Sequence, residues 1–383
     1  MLLAGKLPAT LLLIYGIIHK IEMLTEEEGK GTMNWATLRT RLRRILGSVW
    51  TPFAAIPIAL MIGGLFLLLA GYDPVKAYSA MWDGAFKDKT AFTEVLIKAT
   101  PLIFIGIGLA VAFKCSIWNI GAEGQFYAGA VMATVTGIYL GSLPRVILMP
   151  LVLIMGVAGG ALWGMLAAFL KNRFGANEVV TTIMLNYIAI FFTGFLVTGP
   201  MIETKGLFPQ TPKISEAAWL PRILPPTRLH VGFIIALVLA VLLYILIFKT
   251  TTGYTLRAVG TNPEAARYAG INVKRNILLA MAISGGAAGL AGAVEIAAIS
   301  YRLYQLISPG FGFDGIAVSL LVNNNPLGII FSGFLFGALR SGAEVMMMNA
   351  KVPSVLVSMI QGLVILSVVA FGVHRIVTKE REE

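Results

Sequence analysis

Ten apolar runs, most of them about 20 residues long, recur along the chain and are separated by short segments that carry most of its charge. Because a helix needs about 20 apolar residues to cross the hydrocarbon core of a bilayer, such runs predict membrane-spanning helices. The runs cover residues 50–72, 95–113, 122–143, 147–170, 179–198, 231–248, 276–298, 313–324, 326–345 and 354–372. The eighth run is too short to cross a membrane alone.

The amino-acid composition also indicates a protein that is surrounded by lipid. Charged residues make up 13% of the chain and hydrophobic residues 57%, whereas a soluble protein has about 25% charged residues. We therefore predict an all-α polytopic membrane protein with about ten transmembrane helices. Its parts are an N-terminal cytoplasmic or interfacial segment over 1–45, a transmembrane domain over 46–372 and a cytoplasmic tail over 373–383.

Basic residues predict the orientation of the helices. With ten spans, the loops richest in Lys and Arg all fall on one side, which the positive-inside rule assigns to the cytoplasm together with both termini. These residues are Arg39, Arg41, Arg43, Arg44, Lys171, Arg173, Lys249, Arg257, Arg267, Lys274, Arg275, Arg375, Lys379 and Arg381. The net charge of +11 is dispersed over short loops, so it does not indicate a nucleic-acid-binding surface.

The first 32 residues leave two alternatives open. Residues 7–18 form an apolar run too short to span a membrane, and an acidic stretch follows at 26–28. Translation could start at Met33 instead of Met1, or the segment could be an interfacial helix. No clear small-residue cleavage site follows the run, which argues against a signal peptide.

Catalytic and metal-binding constellations are not found in the sequence. Cys115 is the only cysteine, and the three histidines, His19, His230 and His374, are far apart. No HExxH motif or spacing typical of a nucleophilic triad occurs. We therefore predict that the chain is not an enzyme and has no metal site.

Two interrupted helices, near residues 116–124 and 308–315, are predicted within the membrane. Each break is rich in glycine and places an acid, Glu123 or Asp314, at the start of the following helix. In the predicted topology the following helices run in opposite directions, as in transporters built from two inverted halves with a binding site near the membrane midplane. The acids could line a substrate pathway and accept hydrogen bonds from substrate hydroxyls, or they could cap helix N-termini.

Other polar residues accompany these breaks. Thr182, Asn186 and Thr193 share one face of the fifth predicted span, where they could line a pathway or form interhelical hydrogen bonds. Asn119 and Gln125 lie in the first break. Four aromatic residues near the breaks, Trp118, Phe126, Tyr187 and Phe311, could stack on a ring of the substrate or serve only in packing.

Two further patterns predict packing inside the membrane. Glycines spaced by four, Gly156-Gly160-Gly164 and Gly285-Gly289, are typical of closely packed helices. Arg340 and Glu344 are four residues apart in the ninth span, so we expect them to neutralise each other.

A short helix is predicted in the longest cytoplasmic loop, residues 249–275. Asn262 suits the N-cap, Pro263 the first helical position and Gly270 the stop. A helix of this length is unstable alone, so it must dock on the adjoining spans or on a partner. Because the chain lacks a G-x-x-x-x-G-K-[ST] phosphate loop, any ATP that drives it must be hydrolysed by another subunit.

At these residues the chain resembles permease subunits of bacterial ABC importers, in the superfamily of ribose and branched-chain amino-acid permeases. It is most similar to the branch associated with basic-membrane-protein lipoproteins, which imports nucleosides or simple sugars. Four stretches carry the resemblance, and it extends over residues 45–372. They are Trp118–Gln125, Gly175–Tyr187 (GANEVVTTIMLNY), Leu256–Ile271 (LRAVGTNPEAARYAGI) and Phe313–Val318 (FDGIAV).

The resemblance implies an importer in the bacterial cytoplasmic membrane that works by alternating access. Its expected partners are a cytoplasmic ABC ATPase, a second homologous permease, an extracytoplasmic substrate-binding lipoprotein and membrane lipid. The chain itself would need no cofactor. The expected pathway residues are Trp118, Asn119, Glu123, Gln125, Phe126, Thr182, Asn186 and Asp314. The expected ATPase-coupling residues are Arg257, Asn262, Pro263, Glu264, Ala265, Ala266, Arg267 and Tyr268. An ion-coupled secondary transporter of a small polar solute is the alternative.

Overall fold

The computed structural model describes residue 57 and residues 59–203, 208–364 and 366–367. Helices dominate this part of the chain, where only two isolated β-bridges pair loop residues. The helices are α1 Ala59–Leu69, α2 Pro74–Phe86, α3 Lys89–Lys114, α4 Ala122–Tyr139, α5 Arg145–Phe174, α6 Glu178–Thr198, α7 Gly232–Lys249, α8 Thr251–Thr261, α9 Pro263–Tyr268, α10 Val273–Glu295, α11 Phe311–Leu321, α12 Pro326–Asn349 and α13 Ser354–Val364. A π-helical turn, Ile296–Ser300, extends α10.

The predicted all-α membrane architecture is confirmed. Six helices, α3, α5, α6, α7, α10 with its π-helical turn, and α12, are long and apolar enough to cross a membrane. The other four predicted runs coincide with α1, α4, α11 and α13, so the total of ten spans stays a prediction. The segments 1–45 and 373–383, with the possible start at Met33, lie outside the described residues.

Helix α3 forms the centre of the bundle. Every residue from Pro101 to Ala112 is apolar and buried, on all sides of the helix. Helices α10, α11 and α12 pack against it. The outer faces of α5, α6 and α7 expose large apolar side chains instead, as expected for helices in contact with lipid.

Helices α5 and α10 cross at very close range. A Cβ atom added to Gly160, Gly285 or Gly289 would collide with the backbone of the opposite helix, and one added to Gly156 would collide with the Ala293 side chain. The predicted packing of the glycine series is therefore confirmed. Glycine is required here by the approach of the two backbones, which dispersion forces then stabilise in the absence of water.

Two helices lie where only loops were expected. Helix α2 begins after Asp73, whose carboxylate accepts hydrogen bonds from the backbone of Val75 and Lys76, and it packs along α12. Helix α8 begins after Thr250, whose side chain caps Gly253. Both are amphipathic, and they were missed because the apolar-run criterion finds spanning helices only.

Candidate functional site

The two predicted helix breaks meet inside the bundle. Between α3 and α4 the chain is non-helical from Cys115 to Gly121, and before α11 it is irregular from Tyr301 to Gly310. A Cβ atom on Gly312 would collide with the backbone of Glu123. The start of α11 therefore lies directly against the start of α4.

Glu123 links the two breaks through its side chain. Its carboxylate accepts a hydrogen bond of 2.6 Å from the backbone nitrogen of Gly312. Only 2% of Glu123 is exposed. It therefore caps the N-terminus of α11, a different helix from its own, where a negative charge is favourable. Its role in a pathway stays a prediction.

The first break is held by a buried amide network. Asn119 donates to the side chain of Gln125 at 3.0 Å and to the Ser284 hydroxyl of α10 at 2.9 Å. Its side-chain oxygen accepts from the backbone nitrogen of Gly121. Backbone groups left unpaired by an interrupted helix cannot bond to water at membrane depth, so the Asn119 oxygen replaces the missing helical partner of Gly121.

Asn186 attaches α6 to the same break. Its side-chain oxygen accepts from Gly124 at 2.8 Å, and its amide nitrogen donates to the Ile120 carbonyl at 2.9 Å. The other two residues of the predicted polar face, Thr182 and Thr193, donate to carbonyls of their own helix. All three are buried, so in this conformation Asn186 forms the interhelical bonds.

The second break is held by Arg340, for which the sequence predicted a different ion-pair partner. Arg340 donates to the Asp314 carboxylate at 2.8 Å and to the Pro309 carbonyl at 3.0 Å. Its guanidinium lies 4.7 Å from the centre of the Phe311 ring. The predicted Arg340–Glu344 pair is wrong, because Glu344 pairs with Lys98 of α3. Helix spacing alone cannot show which helix faces the arginine.

The aromatic candidates divide into buried and exposed residues. Phe126 is fully buried against Phe311, with ring centres 5.9 Å apart, so these two pack one break against the other. Trp118 is 52% exposed beside Phe113, and Tyr187 is similarly exposed on α6. Exposed rings of this kind are available to a ligand, to lipid or to a second subunit.

The short helix predicted after Asn262 is confirmed as α9, while its position on the cytoplasmic side stays a prediction. The Asn262 side chain accepts hydrogen bonds of 3.0 Å from the backbone of Glu264 and Ala265, and Gly270 ends the segment with φ +82°. Of the six helical residues, only Ala266 is buried, whereas Tyr268 is 93% exposed. Nearly the whole surface of α9 is thus open to a partner.

Helix α8 connects α9 to the first break. The Ser116 hydroxyl donates to the Gly260 carbonyl at 2.5 Å, and a Cβ atom on Gly260 would collide with the end of α3 at Lys114. Arg257 of α8 lies over the Phe248 ring, 5.5 Å from its centre. The contacts of Gly260 therefore join α8, which directly precedes α9, to the first residues of the first break.

A scan of protein families matches residues 91–369 to the family described as branched-chain amino acid transport system / permease component. The chain belongs to this family. Permease components are transport proteins, so the chain is a multi-pass membrane transport protein and not an enzyme. The resemblance inferred from the four sequence stretches is confirmed.

Three relatives illustrate the similarity. A guanosine ABC transporter permease of Bacillus subtilis is 39% identical over 329 residues, which cover 84% of this chain and 93% of the relative. A glucose ABC transporter permease of Haloferax volcanii is 35% identical over 326 residues, 82% and 86% of the two chains. A second guanosine permease of Bacillus subtilis is 28% identical over 257 residues, 64% and 79%. No solved structure matches this permease.

Proposed function

We propose that this chain is the membrane-spanning subunit of an ATP-driven importer for nucleosides or simple sugars. The observation that supports the substrate class best is the 39% identity to the guanosine permease along nearly its whole length. The glucose permease at 35% keeps simple sugars in the proposal. Both kinds of substrate present several hydroxyl groups to a binding site.

ATP hydrolysis is assigned to a separate cytoplasmic ABC ATPase that docks on α9. The exposure of Tyr268 and the capped start at Asn262 support this assignment, since a short helix needs a partner to be stable. In this proposal the coupling residues are Arg257, Asn262, Pro263, Glu264, Ala265, Ala266, Arg267 and Tyr268. The permease then needs no cofactor of its own.

A second, homologous permease is proposed to complete the pathway. The two guanosine permeases of Bacillus subtilis that this chain resembles support a heterodimer. A substrate-binding lipoprotein is proposed outside a bacterial cytoplasmic membrane, with both termini of this chain in the cytoplasm. The basic residues of the proposed cytoplasmic loops support this orientation.

The pathway is proposed to run beside the paired breaks. Asp314 and Arg340 keep part of their surface accessible, and charged groups at membrane depth are costly against lipid. This accessible pair therefore favours a polar neighbour, either water or the second permease. Alternating access would separate and rejoin the breaks, moving the expected pathway residues Trp118, Asn119, Glu123, Gln125, Phe126, Thr182 and Asn186.

Uptake measurements distinguish the importer from the ion-coupled alternative. Cells that carry the complete transporter are given radiolabelled guanosine or glucose. For the importer, we expect uptake to be lost when the ATPase gene is deleted and to persist under a protonophore while ATP is maintained. Uptake that follows the ion gradient and survives loss of the ATPase would favour the secondary transporter.

A matched pair of tyrosines tests the docking of the ATPase on α9. Tyr268 and Tyr254 are both exposed, but Tyr254 belongs to α8. We expect Tyr268→Ala to reduce co-purification of the ATPase at least tenfold, because an aromatic anchor at an interface centre dominates affinity. Tyr254→Ala should leave it unchanged. Equal effects of the two substitutions would contradict docking through α9.

A further inference from the structure

A charge cluster lies at the end of the bundle opposite α9. Lys114 at one end of α3 contacts α8, whereas Glu94 and Lys98 are near the other end, about 20–30 Å away along the helix. Arg228 precedes α7, Glu295 lies near the end of α10 and Glu344 near the end of α12. We call these five residues the opposite-end cluster.

Both cations of the opposite-end cluster already have carboxylate partners. Arg228 donates to both oxygens of Glu94, at 3.1 and 2.8 Å, and Lys98 pairs with Glu344. The pKa of Arg228 is raised, chiefly by its hydrogen bonds to Glu94 and less by the charges of Glu344 and Glu295. Glu295 thus lies within electrostatic range of Arg228 without forming an ion pair with it.

Glu295 is the third carboxylate, and it has almost no partner. Among the described residues its side chain accepts one hydrogen bond, from the Ser300 hydroxyl at 3.2 Å. Part of its surface remains accessible, although it lies five residues before the end of the apolar stretch Val273–Ser300. An ionisable residue in such a segment indicates a functional site by default.

The backbone around Glu295 is also unusual. The turn that follows it, Ile296–Ser300, is π-helical, and such turns occur frequently at functional sites. Tyr301 then takes a left-handed conformation with φ +56°. The Ala297 carbonyl accepts a hydrogen bond of 2.9 Å from the backbone of Leu220, so a loop segment holds this turn in place beside the carboxylate.

The other acids of the two breaks and of the opposite-end cluster are each bound to a cation or to a backbone N–H group. Glu123 is bound to Gly312 and Asp314 to Arg340, and Glu94 and Glu344 have the cations named above. Glu295 is the one of these five acids that, among the described residues, is bound to neither a cation nor a backbone N–H group, and its Oε2 atom has no donor there. A carboxylate has two oxygens and about four lone-pair sites, so it can accept from two neighbouring hydroxyl groups at once.

We propose that Glu295 binds a pair of vicinal hydroxyl groups on the transported molecule. This inference rests on the proposed function, in which the substrate is a nucleoside or a simple sugar. Guanosine carries adjacent hydroxyls on its ribose, and glucose carries them around its ring, so one carboxylate recognises the feature that both share. The nucleobase makes no contribution to this subsite.

The test compares each substrate with an analogue that has no vicinal hydroxyl pair. Cells with the complete transporter take up guanosine or 2′-deoxyguanosine, and glucose or 2,4-dideoxyglucose, at saturating concentration, where selection by an external receptor no longer limits the rate. In the wild type we expect the transported substrate with a vicinal pair to be taken up at least about tenfold faster than its deoxy analogue, since hydrogen bonds to charged groups are strong.

Glu295→Gln should bring this ratio close to one, because an amide offers one acceptor oxygen where the carboxylate has two. Glu344→Gln is the matched control: it removes a charge from the same cluster and should leave the ratio unchanged. Membrane abundance of each variant is measured by immunoblot. A ratio that stays at its wild-type value in Glu295→Gln, with or without a uniform loss of rate, overturns the proposal.

The outcomes for the wild type separate this inference from the proposed function. Uptake of neither guanosine nor glucose by the intact transporter would overturn the proposed substrate class. Uptake of either one without any preference over its deoxy analogue would overturn the vicinal-hydroxyl subsite alone.

Discussion

Buried polar side chains in this permease bond mainly to backbone groups. Asn119 and Asn186 satisfy the irregular chain of the first break, and Glu123 satisfies the start of α11. Water cannot replace these bonds at membrane depth. At the scale of single residues, the polar positions are therefore constrained first by the broken backbone and then by any contact with substrate.

Glu123→Ala is expected to destabilise the folded permease. The substitution leaves the Gly312 nitrogen without its acceptor, and a buried unsatisfied donor costs about 1–3 kcal/mol. Thermal unfolding of the purified complex measures the loss. Glu123→Gln keeps an acceptor oxygen and should unfold closer to the wild type. If Glu123→Ala stopped uptake at unchanged unfolding temperature, a direct role in the pathway would be favoured.

His230 gives the permease a pH-dependent stability. Burial lowers its pKa from 6.5 to about 4, so between these values the unfolded chain binds a proton that the folded chain does not. The free energy of unfolding is therefore not reduced by His230 above about pH 7, and it decreases as the pH falls from 6.5 towards 4. At pH 5 the loss is about 2 kcal/mol.

The measurement for His230 is the unfolding temperature at pH 7.5 and pH 5. We expect the wild type to lose more stability over this interval than His230→Gln, which cannot take up the proton. A variant with the same pH dependence as the wild type would contradict the assignment to His230.

At the scale of elements, local signals predicted α9 correctly and missed α8. The N-cap, the proline and the terminating glycine of α9 lie within nine residues, so its start and end could be read directly. Helix α8 contains two glycines and four threonines, which are weak helix formers. Its Gly260 packs against the backbone of Lys114 in α3, and that contact between distant parts of the chain is not encoded locally.

Asn262→Ala should weaken coupling by loosening α9. Loss of an N-cap costs about 0.5–2 kcal/mol, and a helix of six residues has few other bonds to compensate. We expect lower substrate-stimulated ATP hydrolysis by the reconstituted complex, while Asn262→Asp, which retains a capping oxygen, should stay near the wild-type rate. Equal rates in all three proteins would exclude the cap as a determinant of coupling.

At the scale of the whole molecule, six long apolar helices and the glycine faces were predictable, but the ion-pair partners of the charged side chains were not. Apolar length identifies a spanning helix from its own residues. The pairing of Arg340 with Asp314, or of Lys98 with Glu344, depends on which helices become neighbours in three dimensions. For the same reason, the sequence could not show that the two breaks meet, because the contact between Gly312 and Glu123 joins parts of the chain that are far apart in sequence.

Adjacent glycines test the crossing of α5 and α10. Gly285→Ala should prevent the close approach, since the added methyl group meets the backbone of Gly160. Gly286→Ala should be tolerated, because its nearest neighbour is the movable side chain of Val157 at 3.2 Å. The measurement is the yield of monodisperse complex after detergent extraction. Similar yields for the two variants would contradict this account of the interface.

The central position of α3 has a consequence for biogenesis. Lys98 and its partner Glu344 are separated by 246 residues, and ribosomes add about 5–20 residues per second. During synthesis, α3 therefore waits roughly 12–50 s for α12 to emerge, with its lysine unpaired in the nascent protein. For that interval the helix that becomes the core of the finished molecule must be sheltered by the insertion machinery or by the helices already made.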